Sequence, residues 1–180
     1  LDAGNRFSYT SGSLNWYDIT GSSISGSLIN GPTFSSANGG SIVFDGTNDY
    51  VSIPSFSFTG DFTIVFFERI TGGIISNNQA VIGNVGNGDD INHFAGYIRM
   101  YNRDLDADAI VATSPTVLNT WYNWVFTRSG TTYRIYKNGV LNATSTYSAF
   151  SWDISAIGSG NVGYFQGNIP LIQFYNRALT

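Results

Sequence analysis

The stretch from Thr120 to Ser145 constrains the fold of this chain most strongly. It contains three runs rich in aromatic and β-branched residues, a composition that fits the pleated surface of a β-sheet. Ser129-Gly130 and Asn138-Gly139 separate the runs. Asn-Gly favours a two-residue type I′ turn, because both central positions of that turn need a positive φ angle. We therefore predict a three-stranded antiparallel meander. In its second hairpin we expect these pairs to lie opposite each other: Lys137 and Val140, Tyr136 and Leu141, Ile135 and Asn142.

Both faces of the first strand of this meander carry bulky side chains. Trp121 and Val125 lie on one face, whereas Tyr122, Trp124 and Phe126 lie on the other. A strand with two apolar faces is usually covered on both sides. We therefore expect a second layer of structure over this sheet.

The rest of the chain also consists of short apolar runs separated by turn residues. We expect Gly83–Asn92 to form an acidic loop, and no segment has the pattern of a long helix. The fold class that this predicts is all-β, an antiparallel two-sheet β-sandwich in one domain over residues 1–180. The further predicted strands are an edge strand near residues 5–9, two strands within Ser41–Pro54, a central strand over Asp61–Ile70, and strands at Ala80–Ile82, Phe94–Tyr101, Ala109–Ala112, Ile154–Ile157 and Asn168–Tyr175.

Composition excludes several classes of function. Charged residues make up only 11% of the chain and the net charge is -4, so we expect no binding to nucleic acid through clustered Lys and Arg. There is no Cys, which excludes disulfides and thiolate metal sites. No apolar run is long enough to cross a membrane as a helix. The chain begins at Leu1 rather than Met, and we expect a processed product or one domain of a longer protein.

Several segments resemble laminin-G-like domains of the concanavalin A-like lectin/glucanase superfamily. Ser41–Ile53 is similar to a Phe-Asp-Gly…Asp-Tyr-Val segment of these domains, Trp121–Leu141 to their central meander, and Gly167–Leu179 to their closing strand. The opening Leu1–Asn5 and the run Trp16–Gly21 resemble versions found in phage and environmental surface proteins. The resemblance implies a jelly-roll sandwich, and it specifies the fold more closely than the ligand.

The residues do not favour catalysis. Hydrolases of this superfamily carry a Glu-x-Asp-x-x-Glu strand, but Glu68 is the only Glu here and has no carboxylate near it in sequence. Asp89-Asp90 is a carboxylate pair in a glycine-rich segment that would hold it loosely. His93 is the only His, which we interpret as a turn or strand-start residue rather than a member of a catalytic triad. We therefore expect no enzyme activity, with a glycoside hydrolase as a minor alternative.

Calcium is the metal that the sequence favours, because oxygen-bearing side chains are abundant and transition-metal ligands are not. Laminin-G-like domains often bind calcium at a loop rim beside their ligand site, so the resemblance implies the same here. The alternative is that these Asp and Asn residues simply cap turns. The candidate ligands are Asp45, Asn48 and Asp49 in one loop, and Asp104, Asp106 and Asp108 in another.

Two functions remain open at this stage. The first is a glycan-binding or adhesion module on a virion or cell surface, in which aromatic faces stack on sugar rings. The second is a structural decoration or appendage protein that packs against copies of itself or other virion proteins. Either function predicts an extracellular or virion-surface location. The candidate ligand-binding residues are Trp16, Tyr147, Trp152, Tyr164 and Phe165.

Overall fold

The computed structural model describes residues 1–73, 78–86 and 88–179. This part of the chain contains strands, turns and one short 3₁₀ helix at Ala37–Gly39. It contains no helix with the length and hydropathy that a membrane span requires. The strands are β1 (Asn15–Trp16), β2 (Gly26–Ile29), β3 (Thr33–Ser35), β4 (Ser41–Asp45), β5 (Tyr50–Phe58), β6 (Phe62–Ile70), β7 (Gln79–Gly83), β8 (Asp90–Phe94), β9 (Tyr97–Asn102), β10 (Ala107–Val111), β11 (Trp121–Ser129), β12 (Thr132–Lys137), β13 (Val140–Thr146), β14 (Trp152–Ile157), β15 (Ser159–Gly160), β16 (Gly163–Tyr164), β17 (Gln166–Ile169) and β18 (Ile172–Tyr175).

The strands form two large sheets and one small hairpin. Sheet I has the order β1-β2-β5-β14-β7-β8-β9-β10. Sheet II has the order β13-β12-β11-β6-β17-β4-β3, and β18 also pairs with β6. Neighbouring strands in both sheets are antiparallel. The predicted antiparallel two-sheet β-sandwich is therefore confirmed.

The core lies between the two sheets and is built mainly from alternate residues of each strand. In β6, Phe62, Ile64 and Phe66 are fully buried. Trp124 of β11 lies opposite Phe66 and is also fully buried. The period of two in a strand places these side chains on one face, where they pack against sheet I.

The expectation that β11 is covered on both faces is only half right. Tyr122, Trp124 and Phe126 are buried against sheet I. Trp121 and Val125, on the opposite face, remain partly exposed. A row of apolar side chains can therefore lie on an open sheet face when its members are shielded only by their neighbours in the sheet.

The meander of β11, β12 and β13 is confirmed, with one change of register. Asn138 and Gly139 both have positive φ angles, 52° and 78°, as a type I′ turn requires. Lys137 lies opposite Val140 and Tyr136 opposite Leu141, as expected. Ile135, however, lies opposite Ala143, because a β-bulge displaces Asn142 from the ladder. The Asn142 side chain instead accepts the N–H of Thr113 at 2.9 Å.

Two other expectations about local structure are wrong. Residues 5–9 form hydrogen-bonded turns rather than an edge strand. The segment Gly83–Asn92 is a loop only in part, because β8 begins at Asp90 and pairs with both β7 and β9. Asn87, in the same segment, lies outside the described residues. The predicted strand Phe94–Tyr101 is largely confirmed as β9, although its first residue, Phe94, ends β8 and a turn precedes Tyr97.

Candidate functional site

An open groove of about 470 Å³ lies where loops of the two sheets meet. We call it the Tyr164 groove. Sheet II contributes the turn after β4 and the start of β17, whereas sheet I contributes the start of β7 and the end of β8. The small hairpin β15–β16 closes one side. The described lining residues are Gly46, Gly73, Asn78, Gln79, Phe94, Val162, Gly163, Tyr164 and Gln166.

Gln79 holds the walls of this groove together. Its Oε1 atom accepts the backbone N–H of Gln166 at 2.9 Å, and its Nε2 atom donates to the carbonyl of Gly72 at 2.7 Å. The amide therefore links β7, β17 and the end of β6. Because both ends of the side chain are occupied, Gln79 positions the groove and has little capacity left for a ligand.

The lining groups that can contact a ligand include the aromatic rings of Tyr164 and Phe94 and the side-chain amide of Gln166. Tyr164 is partly exposed, and the centre of its ring lies 6.5 Å from that of Tyr50. The Gln166 side chain lies over Gly72 and makes no hydrogen bond within the described residues. At the wall, the Oδ1 atom of Asn78 is buried and has no hydrogen-bond partner within the described residues. An aromatic face beside free amide groups is an arrangement that suits a hydroxyl-rich ligand with an apolar face.

All the described residues that line the groove are uncharged. The four residues between Gly73 and Asn78, which lie outside the described part, are Ile, Ile, Ser and Asn in the sequence. The guanidinium of Arg99 stacks on Phe94, which lines the groove, at 4.2 Å from the ring centre. Arg99 is already paired with Asp108 at 2.9 Å.

The predicted ligand-binding aromatics do not lie together. Trp16, Trp152 and Phe165 are fully buried, so their faces cannot stack on a sugar. Trp152 stacks against the rings of Phe58 and Phe62 in the core, with ring centres 6.3 and 6.0 Å away. Of the five predicted residues, only Tyr164 lines the groove.

Tyr147 belongs to a separate aromatic cluster. It is partly buried, and its ring packs against Tyr133 and Phe150 with centres 6.2 and 5.9 Å apart. Burial raises the pKa of its hydroxyl, which has no hydrogen-bond partner within the described residues. A role for Tyr147 in binding remains a prediction.

The first predicted calcium loop is a tight turn between β4 and β5. Asp45 Oδ1 accepts the N–H of Thr47 at 2.7 Å, which is the main cause of a lowered pKa for this exposed carboxyl. Asp49 accepts the N–H of Asp45 at 3.1 Å, and burial raises its pKa. Asn48 is exposed. These bonds are those of Asx-turn capping, and Gly46 of the same turn lines the Tyr164 groove.

The second predicted calcium loop joins β9 to β10. Asp106 accepts the hydroxyl of Tyr101, Asp108 pairs with Arg99, and Asp104 is exposed. Within the described residues, no group of three or more His, Asp or Glu side chains is arranged to hold a metal ion. Calcium at either loop would therefore depend on carbonyl, amide and water oxygens, and it remains a prediction.

Glu68, the only glutamate, does not reach any groove. It is fully buried between the sheets, where its carboxylate contacts His93 at 2.9 Å and accepts the indole N–H of Trp124 at 2.8 Å. His93 is correspondingly a core residue of β8, not the turn or strand-start residue that the sequence indicated. These two residues are closed to substrate in this structure.

Sequence reasoning missed the amides of the groove. Gln79 and Gln166 are two of the three glutamines in the chain, which is the only signal that could have drawn attention to them. Phe94, 48% exposed, was assigned to a strand without a role. These residues come together only through the crossing of two sheets, which sequence spacing does not show.

Comparison with known proteins now places the chain in a family. A family model described as Concanavalin A-like lectin/glucanases superfamily, of the laminin G type, matches residues 45–180. The chain belongs to this superfamily. None of the curated proteins compared with it matches.

Several solved structures share the fold at low sequence identity. Domain 4 of AbnA, an extracellular arabinanase from Geobacillus stearothermophilus in complex with arabinotriose, is 15% identical with a TM-score of 0.67, covering 83% of this chain and 77% of that one. A Trypanosoma rangeli sialidase mutant with trans-sialidase activity is 16% identical with a TM-score of 0.71, covering 96% and 30%. The carbohydrate binding module CBM66 from Bacillus subtilis is 14% identical with a TM-score of 0.54, covering 83% and 94%. The chain thus spans less than a third of the sialidase.

Proposed function

We propose that this domain binds uncharged glycans in the Tyr164 groove and catalyses no reaction. The observation that carries the proposal is that Tyr164 and Gln166 line the same open groove, and that within the described residues the Gln166 amide has no hydrogen-bond partner. A sugar ring has an apolar C–H face for the tyrosine and hydroxyl groups for the amide. The domains of similar fold include a carbohydrate binding module and an arabinanase domain in complex with arabinotriose, which supports a glycan as the ligand.

The absence of charge along the described lining supports a neutral sugar over an acidic one. A uronate or sialate carboxylate would lose its hydration on entering the groove, and no lining cation would replace it. Arg99, behind Phe94, already pairs with Asp108. Neutral pentose or hexose chains are therefore the proposed ligands.

The buried state of Glu68 supports a non-enzymatic role. A glycosidase needs two carboxyl groups that flank the scissile bond. The described lining of the Tyr164 groove contains no carboxyl group, and Glu68 is occupied by His93 and Trp124. The glycoside hydrolase alternative thus has no support from this groove.

Calcium is proposed as a ligand of the turn Asp45–Asp49, with the loop Asp104–Asp108 as the alternative. Gly46 of the turn lines the groove, so a cation there would lie beside the bound sugar. The oxygens would come from Asp45, Asn48 and Asp49. We further propose that the domain acts outside the cell, on a cell surface or virion.

A structural role is the second candidate, and the open face of sheet II supports it. Phe67 is 38% exposed there, and Leu141 of β13 is 51% exposed. Exposed apolar side chains on a sheet suit packing against copies of the chain or against a neighbouring protein. A decoration or appendage protein would form a stable oligomer in light scattering, whereas the glycan-binding module would be functional as a monomer.

A glycan array followed by calorimetry tests the primary proposal. We expect saturable binding to one class of neutral oligosaccharide, weakened strongly in Tyr164→Ala and less in Gln166→Ala. Loss of one aromatic platform should cost about 1–2 kcal/mol of binding free energy, which is roughly a 5- to 30-fold loss of affinity. Tyr17→Ala is the matched control, since Tyr17 is 48% exposed and does not line the groove. Equal binding by all variants would contradict the proposal.

A further inference from the structure

Asp90 lies directly beneath the hairpin that carries Tyr164. His93 of β8 faces the core, so Asp90, at the opposite parity of the strand, points away from sheet II. The hairpin β15–β16 covers it there. A Cβ atom added at Gly83 or Gly160 would overlap the Asp90 carboxyl group. These two glycines are therefore required so that β7 and the hairpin can close over the side chain.

The Asp90 side chain is fully buried. Within the described residues, neither carboxyl oxygen has a hydrogen-bond partner of normal geometry. Burial raises the pKa of Asp90 to about 8; the Asn161 N–H opposes this shift, neighbouring Asp89 adds to it, and Arg99 and Arg103 oppose it. An unpaired carboxylate in such a place is costly, whereas a carboxylic acid is tolerated.

Two of the charged groups around Asp90, Arg99 and Asp89, already have other partners. Arg99 Nε donates to Asn92 at 3.0 Å, and its Nη1 atom donates to Asp108 at 2.9 Å. Asp89 accepts the backbone N–H of Arg103 at 3.0 Å. Arg103, whose side chain is exposed, is a second cation whose charge acts on the Asp90 carboxyl group.

The hairpin connects Asp90 to the groove. Ser159 pairs with Tyr164 and Gly160 with Gly163. Gly160 rests on Asp90, while Gly163 and Tyr164 line the groove. The ends of the hairpin are fixed, because Gly158 donates to Val81 at 2.8 Å and Phe165 donates to Gly158 at 2.9 Å. Between these fixed ends the hairpin has only two cross-strand residue pairs. It is therefore the segment that can open locally.

We propose that Asp90 is a positioning residue for the Tyr164 groove: as an uncharged acid it lets the hairpin pack on sheet I, and its ionisation in alkaline solution displaces the hairpin and weakens sugar binding. The claim that ionisation weakens sugar binding rests on the proposed function. The claim that ionisation displaces the hairpin does not. Burial of a carboxylate without a partner drives the change, since water or Arg103 reaches Asp90 only when the hairpin lifts.

The first experiment needs no sugar. The carboxyl carbon of Asp90 is followed by NMR titration, and amide hydrogen exchange of Gly160–Tyr164 is measured at pH 6 and pH 10, corrected for intrinsic rates. We expect Asp90 to titrate well above an ordinary carboxyl, and hairpin protection to fall about tenfold or more relative to the β11–β12 hairpin across that range. In Asp90→Asn the protection should be independent of pH. A titration at an ordinary acidic pH, or unchanged protection, would overturn the proposal.

The same titration is repeated with excess calcium and with EDTA. We expect the two curves to coincide. If calcium keeps Asp90 ionised at pH 6 and the hairpin protected, the carboxylate holds a cation rather than a proton, and the proposal is wrong.

The second experiment measures sugar binding by calorimetry, with arabinotriose and the best neutral array ligand as probes. We expect affinity to fall about tenfold between pH 6 and pH 10 in the wild type and to stay constant in Asp90→Asn. If affinity depends on pH equally in the wild type and in Asp90→Asn, the proposal that Asp90 controls sugar binding in the groove is wrong. Absence of binding at any pH would refute the proposed function, and the exchange data would then decide the role of Asp90 alone.

Discussion

Glu68 and His93, the only glutamate and the only histidine of the chain, join the two sheets through a contact of 2.9 Å between Oε1 and Nε2. Glu68 belongs to β6 of sheet II and His93 to β8 of sheet I. Trp124 donates its indole N–H to the same carboxylate, and Thr116 lies 3.4 Å from His93 Nδ1. Four polar groups thus satisfy one another inside an otherwise apolar core, which fixes how the sheets are aligned.

This network predicts non-additive effects on stability. Glu68→Leu leaves His93 and Trp124 without an acceptor, and we expect it to lower the free energy of unfolding by about 3–5 kcal/mol. His93→Leu should cost a similar amount. The double variant should cost at least 1 kcal/mol less than the sum, because each single variant leaves the other member of the Glu68–His93 pair unpaired and the double variant removes both members. Urea unfolding measures all three.

A surface ion pair provides the control for these core variants. Asp108→Asn removes the partner of Arg99, and the Asp108 side chain is 34% exposed, so the loss should be below about 1 kcal/mol. If the effects of the two core variants simply add, Glu68 and His93 do not form a coupled pair.

Trp152 should act as a core residue rather than as a sugar platform. Trp152→Ala removes the ring that stacks with Phe58 and Phe62, and we expect a loss of about 3–5 kcal/mol in urea unfolding. Tyr147→Ala, at the partly exposed edge of its cluster, should cost less. A stable Trp152→Ala variant with weakened sugar binding would restore the sequence-based prediction for this residue.

The raised pKa of Asp90 predicts a stability that falls with rising pH. The folded state keeps this proton up to about pH 8, whereas the unfolded chain releases it near pH 4. Between these values the folded state binds more protons, so the free energy of unfolding decreases as pH rises, by at most about 1.4 kcal/mol per unit. Asp90→Asn should remove the contribution of Asp90 to this decrease in the free energy of unfolding with pH.

The effect of Asp90 is isolated by comparing the pH dependence of the free energy of unfolding in the wild type with that in Asp90→Asn. Carboxyl groups with shifted pKa values away from Asp90, such as Asp49, contribute equally to wild type and variant. Chemical unfolding at intervals from pH 4 to pH 9 gives the difference. Parallel curves would show that the Asp90 carboxyl is ionised in the folded protein.

Calcium should stabilise the domain if the turn Asp45–Asp49 binds it. At a concentration about 100-fold above Kd the gain is roughly 2.7 kcal/mol, or a rise in Tm of about 5 °C or more. We expect EDTA to reverse the rise and Asp45→Asn to abolish it. Asp104→Asn is the matched control, and an effect confined to that variant would place the ion at the other loop. Identical melting with calcium and EDTA would exclude both.

The sequence predicts the fold of this chain well, because the signals are local. Asn138-Gly139 specifies its turn through φ angles, and the alternation in Phe62–Ile70 specifies a strand with one face in the core. The predicted pairing of Ile135 with Asn142 was wrong because a β-bulge lies at Asn142. The extra residue of a bulge cannot be recognised from the alternation of apolar residues. Asp90–Asn92 was taken for loop because polar residues there are buried by a hairpin distant in sequence.

The candidate site could be predicted only in part. Tyr164 was identified as an aromatic near a loop, but the same rule selected Trp16, Trp152 and Phe165, which are buried. Large aromatics fill cores more often than they line grooves, and sequence does not distinguish the two uses. The groove also needs Gln79 and Gln166, which are 87 residues apart and meet only in the folded chain.

Chemical-shift mapping tests the central claim most directly. A neutral oligosaccharide is titrated into ¹⁵N-labelled protein, and the shifts of backbone and side-chain amides are recorded. We predict that the largest changes occur at Gly163, Tyr164 and the side-chain amide of Gln166. Changes confined to the indole N–H of Trp121 on the open face of sheet II, or no changes with any neutral sugar, would contradict the account.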